Sequence, residues 1–343
     1  MSDDEAKLLA GLQRWAGRRE PAQRERIESL QRLSGGASQQ TWAFDLCSDA
    51  GSVPLVLRRT PPEAAQRSRM GAGLAAEAQL IVAACAAGVP VPRIHHVLSA
   101  ADGLGEGFVM QRLVGETLGR RIVRDERFAA ARRALARQCG EALARIHAIP
   151  TSGLPPLRRG GAAAEQQFQL DLHRSHGTAR PVFALGFQWL RRHAPHEVAQ
   201  AVLVHGDFRN GNLMVGDGGL VGVLDWELAH LGDPMEDLGW LCVNAWRFGC
   251  SELPVGGFGM REDLFAGYEA AGGRVDAARV HWWEVLGTLK WGIVCEAMAH
   301  AWLGGEERDV EKAAIGRRAS ESEIDLLALL APDGVPHARS THA

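Results

Sequence analysis

Apolar positions recur along this chain with two different periods, and the change from one to the other divides it. In RLSGGASQQTWAFDL (32–46), Trp42, Phe44 and Leu46 fall on every second residue after a glycine-bearing turn. That is the spacing of a strand with one buried face, and the stretch as a whole reads as strand, turn, strand. PLVLRR (54–59) reads as a further strand, closed by Thr60-Pro61-Pro62, and two more lie near 93–98 and 107–113. SRMGAGLAAEAQLIVAACAAG (68–88) has helical spacing and ends at a glycine. Residues 2–30 read as a charged amphipathic helix or helix pair.

From about residue 115 the helical period takes over, over 126–149, near 165–176 and 181–193, and over 234–248, 259–272 and 279–303, with a last helix near 306–331. The pattern predicts an α+β chain: an N-terminal unit (1–112) with a small five-stranded antiparallel sheet, an N-terminal helix and one long helix, then a helical unit (113–332). The tail 333–343 is expected to be disordered.

Composition narrows the function classes. The chain of 343 residues is 46% hydrophobic and 23% charged with a net charge of −3, so no nucleic-acid or membrane-surface partner is expected. No apolar run reaches the roughly eighteen residues of a membrane span. The N-terminus MSDDEAKLLAGLQRWAGRRE is charged throughout rather than signal-like, which points to the cytoplasm. Six cysteines are scattered without a C-x-x-C pair and are expected as buried free thiols. Only three lysines occur, Lys7, Lys290 and Lys312, and none stands in a Gly-Lys-Ser/Thr triplet. A Walker-type phosphate loop is therefore excluded.

The helical half is interrupted by VLVHGDFRNGNLMVGDGGLVGVLDWE (202–227). Here LMV and LVGVL flank GDGG, a strong hairpin signal. Pairing across that turn brings Asn212 and Asp225 to one end, and Asp207 lies five residues before Asn212. Magnesium takes hard oxygen donors and usually one or two carboxylates, leaving the rest to water and phosphate. Asn212 and Asp225 suit that role, and Asp207 suits the orientation of a hydroxyl and acceptance of its proton. A reading as strand-end caps explains one such residue better than three. A metallophosphoesterase would continue its Gly-Asn segment into His, whereas this one continues into Leu213-Met214.

H-G-D-x-x-x-x-N followed by Asp thirteen residues on resembles the catalytic loop and metal Asp of the protein-kinase-like fold. The Gly after His and the ending DWE-x-x-x-x-GDP-x-x-DL are similar to the aminoglycoside phosphotransferase-like (choline kinase-like) branch. Within it the chain resembles kinase domains that occur alone in bacteria or fused to acyl-CoA dehydrogenases. The shared stretches, VLRRTPP, GVPVPR, FVMQRLVGETL, LARIHAI, HGDFRNGN, LDWELAHLGDPMEDLGWL and LKWGI, run from about residue 32 to 300.

The resemblance implies a bilobal fold, ATP as co-substrate, Mg2+, and a small-molecule hydroxyl as acceptor. It places Ser34, Gly35, Gly36 and Ser38 over the ATP phosphates. It puts Arg58 at the usual phosphate-binding Lys, paired with Glu77, and Gln111 in the hinge. Arg pairs bidentately with phosphate and carboxylate, so the substitution preserves the chemistry. Arg209 matches a position facing the transferred phosphate. His205 and Asp237 are expected as braces of the loop and His147 as a core residue. Trp240, Trp246, Trp282, Trp283 and Trp291 are expected mainly in the core, some lining the acceptor pocket. Arg120, Arg121, Arg124 and Arg127 are expected as a solvated face, with CoA phosphates as the alternative.

The expected activity is ATP- and Mg-dependent phosphorylation of a small-molecule hydroxyl, with a hydroxyacyl-CoA or related metabolite as the favoured acceptor. An aminoglycoside or macrolide kinase is the alternative. A nucleotide-binding pseudokinase, suggested by Arg58 and Gln111, is opposed by the intact Asp207, Asn212 and Asp225.

Overall fold

The structure is a computed structural model that describes residues 3–19, 25–33, 39–61, 73–305 and 309–331. Ser34, Gly35, Gly36 and Ser38, the expected phosphate-covering turn, and the expected disordered tail lie outside the described residues.

Helix α1 (Asp3–Arg19) precedes β1 (Arg26–Leu33), β2 (Gln40–Ser48) and β3 (Gly51–Thr60). Helix α2 (Leu74–Ala86), β4 (Ile94–Val97) and β5 (Glu106–Gln111) complete the small unit. The five strands form one sheet in the order β1-β2-β3-β5-β4, with every adjacent pair antiparallel. Trp42, Phe44 and Leu46 are buried together with Leu8, Leu12 and Trp15 of α1. The opposite face contributes Phe108 to the core shared with α2 and the helical half. Period-two alternation thus gives each face of the sheet its own partner.

One expectation fails. Residues 26–30, expected at the end of a helix, belong to an edge strand that starts at Arg26. Arg, Glu and Gln favour helices, but backbone pairing to β2 overrides that preference. Ser29, at φ 54°, sits where the register shifts between Glu28 and Gln31. Such a bulge erases the alternation that would have marked a strand.

The second half is helical: α3 (Gly119–Arg124), α4 (Ala129–His147), α5 (Ala162–His176), α6 (Pro181–Arg192), α7 (Met235–Cys242), α8 (Arg261–Ala270), α9 (Ala277–Leu303), α10 (Val310–Gly316) and α11 (Ala319–Leu330). Two short strand pairs accompany it, built from β6 (Val202–Val204), β7 (Leu213–Gly216), β8 (Gly219–Val223) and β9 (His230–Gly232). β7 and β8 form the expected hairpin, and β6 pairs with β9. The last helix is divided into α10 and α11. This is the expected bilobal arrangement of a small sheet lobe on a helical lobe.

No helix among the described residues is long and apolar enough to cross a membrane. Cys139, Cys242 and Cys295 are buried, while Cys85 is exposed and Cys47 and Cys250 are half-buried. The expectation of buried thiols holds for three of the six. Cys85 departs from it because its turn of α2 faces solvent.

Candidate active site

The loop between β6 and β7 carries the candidate base. Gly206 has φ +77°, and a Cβ there would lie 2.5 Å from the Leu228 carbonyl oxygen, so glycine is required. Asp237, on the first turn of α7, accepts from the backbone N–H of His205 at 2.8 Å and of Gly206 at 2.9 Å. Its Oδ2 also accepts from His147 Nε2 at 3.1 Å, and His147 Nδ1 lies 2.8 Å from the Tyr268 hydroxyl. Burial opposes the Asp237 charge, but these partners outweigh it and lower its pKa.

His205 is fully buried, and its ring spans two functional segments. Nδ1 accepts from the Asp207 N–H at 3.2 Å, and Nε2–H donates to the Leu224 carbonyl at 3.0 Å. Both nitrogens are thereby assigned to a neutral ring, and burial lowers the His205 pKa against three nearby aspartates. His205 ties the Asp207 loop to the residue before Asp225.

Three N–H donors converge on the Asp207 carboxylate. Oδ1 accepts from Arg209 Nε at 2.9 Å and from Trp240 Nε1 at 2.8 Å. Oδ2 accepts from Asn212 Nδ2 at 2.6 Å. The same amide donates to the Asp207 carbonyl at 2.9 Å, which leaves Asn212 Oδ1 as its acceptor atom. The Arg209 guanidinium lies 4.4 Å from the Trp246 ring centroid. Asn210 is fully buried and fixes the loop by donating to the Trp246 and Gly256 carbonyls at 3.0 and 2.6 Å.

The hairpin delivers the second carboxylate. Leu213 pairs with Val223, and the Leu224 N–H donates to the Asn212 carbonyl at 2.8 Å. Asp225 follows with φ +63°, a left-handed conformation that Asp tolerates better than most residues. Arg58 of β3 meets it across the cleft: NH2 is 2.8 Å from Asp225 Oδ1 and 3.5 Å from Glu227 Oε2, and NH1 is 3.1 Å from Glu77 Oε1. Gln39 accepts from Arg58 Nε at 3.0 Å. Burial works against the Arg58 charge, yet Glu77 and Asp225 raise its pKa. Burial pushes the Glu77 carboxyl up to about 7, against the pull of Arg58.

The structure therefore gathers Asp207, Arg209 and Asn212 in one cluster, and Arg58, Glu77 and Asp225 in a second joined to it through His205 and the hairpin. Gln111 stands apart. It is exposed at the end of β5, with its amide oxygen 3.5 Å from the Arg93 N–H. Arg121 pairs with Glu116, Arg127 with Asp217, and Arg124 donates to the Phe248 carbonyl, all exposed, as a solvated face predicts. Two site residues were missed. Glu227 follows Asp225 in the DWE triplet, the one signal available. Trp240 was assigned mainly to packing, and no spacing in the sequence indicates that its N–H reaches Asp207.

Hard oxygen donors suit Mg2+ here. Asn212 Oδ1 and Asp225 are an amide oxygen and one carboxylate, the sparse set that magnesium accepts when nucleotide phosphates complete its shell. Among the described residues no group of three His, Cys, Asp or Glu side chains competes as a metal site.

A bilobal fold with a cleft of this composition defines a phosphotransferase. The family model described as the phosphotransferase enzyme family (APH) matches residues 29–280, and the chain belongs to that family. It is 26% identical over 333 residues to a probable acyl-CoA dehydrogenase of Arabidopsis thaliana, covering 88% of this chain and 40% of that protein's length. A protein of Ralstonia eutropha assigned as an aminoglycoside phosphotransferase superposes with a TM-score of 0.72 at 19% identity, over 93% of this chain and 97% of its own. An aminoglycoside phosphotransferase variant solved with AMP-PNP and hygromycin B gives a TM-score of 0.58 at 16% identity, over 94% and 99% of the two chains.

Proposed function

We propose that the chain transfers the γ-phosphoryl group of ATP to a hydroxyl of a small molecule, a hydroxylated acyl compound such as a hydroxy acid or its CoA ester. Asp207 orients the hydroxyl and takes its proton as the oxygen bonds to phosphorus and the bond to ADP breaks. Asn212 and Asp225 hold Mg2+, whose chemistry is to neutralise charge on the phosphates. Arg58, held by Glu77, contacts the nucleotide phosphates, and Arg209 faces the transferred group.

The observation that carries this reading is the Arg58 bridge. One guanidinium spans Glu77 of the sheet lobe and Asp225 of the helical lobe, and such a cation between two carboxylates is suited to receive phosphate oxygens. The AMP-PNP bound by the structural neighbour supports ATP as co-substrate. The acyl acceptor is supported by the similarity to the acyl-CoA dehydrogenase relative. A second reading, an antibiotic kinase, has support from the neighbour that holds hygromycin B.

The test is mass spectrometry of acceptor panels incubated with purified protein, ATP and Mg2+. Phosphate addition to hydroxy acids or hydroxyacyl-CoAs is expected. Phosphorylation confined to aminoglycosides or macrolides selects the second reading, and absence of ATP binding removes both.

A further inference from the structure

Beside Asp207 the helical lobe holds the Lys290 ammonium, which has no counter-ion among the described residues. Between α5, α7 and α9, the residues Gln169, Trp240, Trp283, Leu286, Gly287 and Lys290 surround a cleft with about 300 Å³ of open space, its mouth included. Lys290 Nζ lies 4.6 Å from the Trp240 ring centroid. The same indole donates to Asp207 Oδ1, so a single ring separates the ammonium from the candidate base.

Two acids also line this cleft, and both are engaged. Glu165 pairs with Arg158, and Glu236 Oε2 lies 3.2 Å from His230 Nε2. Lys290, by contrast, makes no hydrogen bond or ion pair among the described residues; its contact is with the indole face. Two further polar atoms wait in the same wall. Trp283 Nε1 and Gln169 Oε1 are buried without a hydrogen-bond partner, on residues only 3% and 4% exposed. Buried polar groups are normally paired, and of these two the Trp283 indole N–H is the donor that an anionic ligand completes.

The charges and donors specify the ligand. An ammonium and an indole N–H both offer hydrogens to oxygen, and a carboxylate accepts from both. A cationic amino sugar would meet Lys290 with like charge. We propose that this cleft is the anion-recognition subsite of the acceptor, and that Lys290 is a specificity-determining residue selecting a free hydroxy carboxylic acid. The proposal rests on the reading of Asp207 as the group facing the acceptor hydroxyl.

The test uses the full chain with ATP and Mg2+ on straight-chain hydroxy carboxylates, the diols of equal length, amino alcohols, and the CoA thioesters of the same acids. MgATP affinity is measured separately by calorimetry. The carboxylates should exceed the diols in kcat/KM by at least about tenfold, the scale of one charge-assisted contact. Lys290→Met should raise the carboxylate KM by about the same factor, with little change in kcat or MgATP affinity, and should erase the preference over diols. Lys290→Arg should restore most of it.

Equal or better use of diols, amino alcohols or CoA thioesters overturns the proposal, as does an unchanged carboxylate KM in Lys290→Met. Protein that binds MgATP but phosphorylates none of the panel overturns it too, leaving the phosphotransfer reading in place. Protein that does not bind MgATP defeats that underlying reading instead.

Discussion

Trp240 donates its indole N–H to Oδ1 of Asp207 at 2.8 Å, the same oxygen that accepts from Arg209. An aromatic residue buried for packing thus also aims the carboxylate on which the proposed chemistry depends. Trp240→Phe keeps the ring's bulk and removes the donor. A hydrogen bond to a charged group contributes about 1.5–3 kcal/mol, so kcat should fall roughly ten- to hundredfold, with MgATP affinity unchanged by calorimetry. Unaltered turnover would mean that Arg209 and Asn212 orient Asp207 without help.

Glu77 yields a pH dependence with opposite signs for activity and stability. Its carboxyl, pushed up to about 7 by burial, is protonated below that pH and no longer holds Arg58 by charge. The kcat/KM for MgATP should therefore fall as pH drops below about 7, and this limb should be missing in Glu77→Gln.

Stability runs the other way. Between the ordinary carboxylate range and pH 7 the folded chain keeps a proton that the unfolded chain has released. This contribution is full at low pH and is lost as pH rises through about 7, amounting to something on the order of 3 kcal/mol. Melting curves of wild type and Glu77→Gln across pH 5–8 check it; parallel curves would show that Glu77 ionises normally.

Asp237 and Gly206 hold the catalytic loop by different means, and both are testable by urea unfolding. Asp237→Ala leaves the His205 and Gly206 amides and the His147 ring without their acceptor. Loss of such a buried partner costs about 3–5 kcal/mol. Gly206→Ala forces a Cβ to within 2.5 Å of the Leu228 carbonyl at a left-handed φ, a strain of about 1–3 kcal/mol. Both variants should also lose turnover, because the loop they distort carries Asp207.

Much of this architecture was legible because two periods are written plainly into the chain. Trp42, Phe44 and Leu46 announce a buried sheet face, and the GDGG hairpin announces that Asn212 comes opposite the residue before Asp225. The Arg58–Glu77 contact followed from resemblance, since nothing in the spacing links a strand to a helix nineteen residues on. The edge strand β1 was hidden by helix-favouring residues and a bulge at Ser29. The Trp240 donor and the Lys290–Trp240 contact depend on how α7 and α9 pack, a three-dimensional fact that local patterning does not encode.

The central claim is a division of labour between Asp207 and the Arg58–Asp225 side of the cleft. It is tested most directly by measuring turnover and MgATP affinity together on Asp207→Asn. The account predicts that transfer to the acceptor drops by at least about a hundredfold, the scale of general-base catalysis, while the MgATP dissociation constant stays within about threefold. Retained transfer, or a loss of MgATP binding as large as the loss of turnover, would contradict it.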